Sequence, residues 1–181
     1  MDLSEKKVAI LAEDLYEDLE LWYPKLRLTE AGADVWVIGA GKEAYHSKHG
    51  YEVKADAPVD RVRAEEFHAI VIPGGYAPDH MRRHPKMVEF VRKGYQQGLL
   101  IAAICHAGWM LASADIILGK HVTGYMSIKD DLINAGGIYE DSEVVRDGNL
   151  ITSRFPCDLP AFCREIIESL SGAGARKEKA A

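Results

Sequence analysis

Residues 101–108, IAAICHAG, set a thiol beside an imidazole where an apolar run gives way to a helical pattern. Adjacent cysteine and histidine are the parts of a nucleophile and its base, with attack on a carbonyl carbon as the natural chemistry. The frame Ala103-Ile104-Cys105-His106-Ala107 matches a strand-to-helix elbow. Small residues two before and two after the nucleophile let helix and strand approach, and the nucleophile's own backbone is strained. At a helix start the thiolate also gains from unpaired N–H groups. The competing reading is a buried packing cysteine, a role that suits the residue equally well.

Acyl or carbonyl chemistry needs donors for a developing oxyanion. The N–H of His106 is one candidate; the other is Gly75 of the Pro73-Gly74-Gly75 turn, where a positive φ is open to glycine. His106 needs a third group to set its tautomer, and Asp79 is a candidate. Glu17 and Glu20 sit where the first strand passes into a helix. A carboxyl placed against Cys105 could donate a hydrogen bond to the thiolate if its pKa were raised. Glu17 is favoured for that role, and Glu20 for complementing the helix dipole. Gly74, Arg154, Pro156 and Asp158 also follow strand ends and are expected to line the cleft. His80 and His84 are four apart, but Pro85 intervenes and no third ligand is near, so no metal is expected. Cys157 and Cys163 read as packing residues, and His46 and His49 as exposed loop residues.

The elements that must position these groups alternate. Residues 6–13, 34–41, 68–75 and 99–104 read as strands; Leu15, Leu19, Trp22 and Leu26 recur at helical spacing, and residues 85–97 and 107–114 read as helices. Residues 46–60 read as an extended excursion, 127–137 as a short helix, 142–153 as a hairpin turning at Asp147-Gly148-Asn149, and 159–170 as a last helix. The alternation predicts an α/β, mostly parallel sheet covered on both faces. Ligands then sit beyond the carboxyl ends of the strands, near a switch in strand order. Residues 1–170 are expected to form a single domain and 171–181 a flexible tail.

Composition narrows the function further. The chain has 181 residues and a net charge of −6, with no Lys/Arg cluster, which argues against nucleic-acid binding. No apolar stretch reaches membrane-spanning length, and the N-terminus has no signal-peptide layout. Three cysteines without a C-x-x-C fit a reducing, cytoplasmic setting.

Six stretches in order, YEDLELWYPKLRL, KHGYEV, VIPGGYAPDHMRR, AAICHAGWML, GYMSIKDDLINAGG and DGNLITSRFPCDL, resemble the PfpI family of intracellular cysteine hydrolases. That family lies in the PfpI/ThiJ superfamily of class I glutamine-amidotransferase-like folds. The resemblance implies a flavodoxin-like, doubly wound three-layer sandwich with Cys105 as nucleophile and Glu17 as the acid hydrogen-bonded to it. His106 would be the triad histidine, Gly75 and His106 the oxyanion-hole donors, and Tyr125 part of the pocket wall. It also implies a homo-oligomer, a dimer or hexamer, in which Asp79 of a neighbouring copy completes the triad. Two departures stand out: Ala107-Gly108 replaces a common Gly-Pro, and Asp79 is one methylene shorter than glutamate. No histidine follows His121, so a conventional glutamine-amidotransferase triad is excluded.

The resemblance and the residues together favour a cysteine-dependent stress-response enzyme acting on small carbonyls or glycated groups, of glyoxalase or deglycase type, without a cofactor. The alternatives are an intracellular cysteine peptidase and a redox sensor or chaperone-like oligomer built on an oxidisable Cys105.

Overall fold

The computed structural model describes residues 2–172. In chain order the elements are β1 (Lys7–Ala12), α1 (Asp18–Glu30), β2 (Asp34–Gly39), the hairpin β3 (Ala44–His46) and β4 (Glu52–Lys54), β5 (Ala57–Pro58) and β6 (Ala69–Ile72). There follow α2 (Ala77–Met81), α3 (Pro85–Gln96), β7 (Leu100–Ile104), α4 (Gly108–Ser113), β8 (His121–Val122), α5 (Lys129–Asn134), β9 (Ile138–Tyr139), β10 (Val144–Asp147), β11 (Leu150–Ser153) and α6 (Leu159–Leu170). The tail expected at 171–181 lies, from residue 173 on, outside the described residues.

The main sheet runs in the order β10-β11-β7-β6-β1-β2-β5, parallel throughout except for β10 against β11. Helices α1 and α6 pack together on one face, and α2, α3 and α4 on the other. β6 and β7 are buried along their whole length, as strands covered on both faces must be. After β1 the chain builds outward through β2 and β5, then returns to place β6 on the other side of β1. The loops leaving β1 and β6 therefore part at the switch point, with the end of β7 beside them.

The first helix is present but presents a different face from the one its leucine spacing suggested. Leu19 and Leu26 are exposed, and the buried residues are Glu20, Leu21, Pro24 and Leu28. Two apolar stripes compete on this helix, and tertiary packing chose the one containing an acid. Cys157 is exposed rather than packed, whereas Cys163 is buried. The excursion after β2 is a hairpin folded against the site: Tyr45 is fully buried, its hydroxyl accepts the N–H groups of Gly41 and Lys42, and its ring covers Gly39.

A Cβ on Gly39 would stand 2.3 Å from the Tyr45 ring. Gly39→Ala is therefore expected to lower stability by about 1–3 kcal/mol, the usual cost of overpacking, as measured by urea unfolding.

Candidate active site

Three loops meet at the switch point and hold one another by backbone hydrogen bonds. The β1–α1 loop donates from Leu15 to His46 of the hairpin (2.7 Å) and from Glu17 to Gly74 (3.2 Å), and Leu15 accepts from Tyr76 (2.9 Å). Lys48 donates to Tyr16 (3.0 Å). Gly75 carries φ +76, and a Cβ there would come within 2.6 Å of Leu15 O and Glu17 N, so only glycine fits.

Cys105 follows directly from β7 with φ +61, a left-handed conformation costing a non-glycine residue about 1–2 kcal/mol. The flanking Ala103 and Ala107 are buried, as the elbow frame requires. Backbone N–H groups of Gly75 and His106 bond the sulfur and favour its thiolate. Burial and the charge of Glu20 outweigh them and push the thiol up to about 12. The expectation of a thiol tuned downward by its helix start is thus reversed: desolvation wins, and Sγ needs a base. His106 Nδ1 lies 3.1 Å from Sγ, and Nε2 lies 3.1 Å from Ser127 Oγ. The ring stacks on Tyr125 with centroids 4.9 Å apart. Burial, assisted by the charge of Lys48, holds the imidazole below its ordinary pKa and hence neutral at pH 7. In the tautomer whose Nε2–H donates to Ser127, Nδ1 presents its lone pair to the thiol.

The carboxyl that meets Cys105 is Glu20, not Glu17. Glu20 is fully buried, its Oε2 accepts the N–H of Gly74 at 2.8 Å, and it interacts side chain to side chain with Cys105. A Cβ on Gly74 would lie 2.5 Å from Glu20 Oε2 and 2.7 Å from Cys105 Cβ, so Gly74 is the spacer between them rather than a pocket wall. Burial raises Glu20 to about 8, leaving it protonated at neutral pH. Its Oε1 is buried and meets no nitrogen or oxygen partner among the described residues, which leaves Cys105 as the side chain to which the acid bonds. Glu17 is the N-cap of α1, accepting the N–H of Glu20 at 3.0 Å. The two glutamates thus exchange the positions expected of them.

A cavity of about 490 Å³ opens over the thiol, lined by Glu17, Glu20, Lys48, Gly75, Tyr76, Cys105, His106, Tyr125 and Pro156. Tyr125 and Pro156 therefore stand at the pocket wall. Arg154 does not: its guanidinium is held by Asp158 at 2.8 Å and Asp141 at 2.7 Å. Asp79 is exposed on α2 outside this lining, and within one chain the outer nitrogen of His106 meets Ser127 instead. Lys48, Tyr76 and Ser127 were not anticipated, because no local spacing ties them to Cys105. Glu20 had a signal: with Leu21, Pro24 and Leu28 it falls on one helical face. Among the described residues no three His, Cys, Asp or Glu side chains converge as metal ligands.

A thiol held in left-handed backbone at the end of a central parallel strand, with an imidazole on one side and a buried acid on the other, defines an elbow-type cysteine enzyme on a flavodoxin-like sheet. Residues 6–169 match the DJ-1/PfpI family, and the chain belongs to it. It is similar to Deglycase PfpI of Pyrococcus furiosus, 44% identical over 164 residues that cover 91% of this chain and 99% of that protein. It is equally similar to YraA of Bacillus subtilis, whose name proposes a cysteine protease: 44% over 167 residues, covering 91% and 98%. The crystal structure of an Anabaena variabilis protein with DJ-1/ThiJ/PfpI-like and ferritin-like domains superposes with a TM-score of 0.90 at 46% identity. That match covers 92% of this chain and 48% of the other, so this chain spans about half of that two-domain protein. The chain is an enzyme of the PfpI type. Among the described residues no helix is long and apolar enough to cross a membrane.

The raised pKa of Glu20 links stability to pH. The folded state keeps a proton that the unfolded chain, with its ordinary value of 4.5, releases, so stability falls as pH climbs from there to about 8. The urea midpoint of the wild type is expected to drop between those limits more steeply than that of Glu20→Gln, which has no such proton.

Proposed function

We propose that this enzyme converts small α-oxoaldehydes such as methylglyoxal to 2-hydroxy acids, and by the same first step acts on glycated groups, with Cys105 as nucleophile and Glu20 as the proton shuttle. The observation that carries this is the buried, protonated Glu20, bonded side chain to side chain with Cys105 at the floor of a small cavity.

Sγ attacks the aldehyde carbon as the thiol proton passes to His106 Nδ1. Glu20 protonates the alkoxide, giving a hemithioacetal and a carboxylate. That carboxylate removes the hydrogen from the same carbon while the imidazolium protonates the neighbouring carbonyl oxygen, forming an enediol. Glu20 then returns its proton to the second carbon and takes the hydroxyl proton of the first, leaving a lactyl thioester on Cys105. Water cleaves it, releasing lactate and the free thiol. These steps draw on protein side chains and water. The Gly75 and His106 N–H groups serve the oxyanion of thioester hydrolysis.

A peptidase would use the same thiol and base, and the name of YraA supports keeping it in view. The small volume of the cavity, about 490 Å³, favours a compact electrophile over an extended peptide. Lactate formation from methylglyoxal is expected to vanish in Cys105→Ser and to fall by about 10²-fold or more in Glu20→Gln. Glu17→Gln, which weakens a cap and removes the charge beside Lys48 but touches no reacting atom, should cost less than about tenfold. Equal losses in the two glutamate variants would refute the assignment. Turnover that survived Cys105→Ser would refute Cys105 as the nucleophile.

The oligomer belongs to the same proposal. Leu19, Tyr23 and Leu26 expose an apolar stripe along α1, which supports self-association, and Asp79 is kept for the histidine of a second copy. Co-expression of Cys105→Ser with Asp79→Asn chains is expected to yield mixed oligomers more active than either variant alone. Absence of that recovery would confine the site to one chain.

A further inference from the structure

Among the residues lining the cavity, Lys48 alone carries a permanent positive charge. Its backbone is fixed, because its N–H donates to Tyr16 (3.0 Å) and the adjoining Ser47 bridges to the same residue. Its ammonium is not. It forms a loose ion pair with Glu17 Oε1 at 3.9 Å, too long for a hydrogen bond, and it makes no hydrogen bond among the described residues. Three N–H donors on a flexible stem are thus available at the mouth of the site. The same charge is felt by His106 and by Glu20, which places it within electrostatic range of both reacting groups.

Resting on the α-oxoaldehyde reading above, we infer that Lys48 is the specificity determinant of this pocket, and that the preferred substrates carry a carboxylate beyond the reacting carbonyl. The carboxylate takes the donors that Glu17 leaves unfilled, while the aldehyde lies against Cys105. Glu17 offsets part of the charge but does not fill the donors: its Oε2 is committed to the Glu20 N–H, and only Oε1 faces the ammonium, at 3.9 Å. It does limit the charge that can be held. With Glu17 offsetting much of the lysine's charge, the ammonium acts chiefly as a hydrogen-bond donor, and a monoanion meets less repulsion there than a phosphate dianion. Tyr76, Tyr125 and Pro156 supply the apolar wall against which the body of such a substrate lies.

Phenylglyoxal and 4-carboxyphenylglyoxal undergo the same conversion to mandelates and differ only in the remote charge. The readout is the ratio of their kcat/KM values, anionic over neutral, for the wild type, Lys48→Met and Lys48→Arg, with thermal unfolding checking that each variant is folded. The wild-type ratio is expected to exceed one. Lys48→Met should lower it by about tenfold or more, chiefly through KM of the anionic substrate, and Lys48→Arg should restore most of it. A ratio unchanged in Lys48→Met overturns the role of Lys48 while leaving the carbonyl chemistry intact. Absence of turnover of either glyoxal and of methylglyoxal by the wild type would overturn both.

Discussion

A carboxyl and a thiol are pressed together behind Gly74, and much of the molecule serves to hold them there. Neither is stable as an ion in that space: burial raises Glu20 and Cys105 alike, so the resting pair is protonated and nearly neutral. The close approach depends on a missing Cβ at Gly74, on the left-handed turn at Gly75 and on the strained backbone of Cys105. Each is costly, and all are held by the parallel core strands from which the three loops spring.

The neutral pair changes how the thiol is activated. A cysteine poised as a free thiolate would react with whatever electrophile or oxidant arrived. Here Sγ becomes nucleophilic only as its proton moves to His106, itself kept neutral by burial and by Lys48. The ring is oriented from both sides, by Ser127 at its outer nitrogen and by the stacked face of Tyr125. In the proposed reaction, activation is thereby coupled to a substrate that fits the cavity and accepts the proton transfers.

Helix α1 shows how packing assigns roles that residue type leaves open. Its two N-terminal glutamates are three residues apart, and either could cap the helix or enter the core. The cap must have extended backbone, which falls at Glu17, and its side chain is then spent on the N–H of Glu20. Glu20 is turned inward, beside Leu21, Pro24 and Leu28, and reaches Gly74 at the end of the neighbouring strand β6. The leucines on the opposite face are left at the surface.

By itself the sequence determined the alternating α/β order, the hairpin at Gly148-Asn149, the last helix and the elbow at Cys105. Those depend on neighbours along the chain: apolar periodicity, small residues flanking a nucleophile, and glycine where φ is positive. Tertiary structure alone decided which glutamate meets the thiol, that Arg154 is tied to Asp141 and Asp158, and that Lys48 and Ser127 belong to the site. Lys48 arrives on a hairpin 57 positions before Cys105, Ser127 on a turn 22 positions after it, and Glu20 from across the sheet. No local spacing encodes such meetings; they follow from strand order and from which helix face the core accepts. The downward tuning expected at a helix start failed for the same reason, since only the folded surroundings of Cys105 reveal how completely water is excluded.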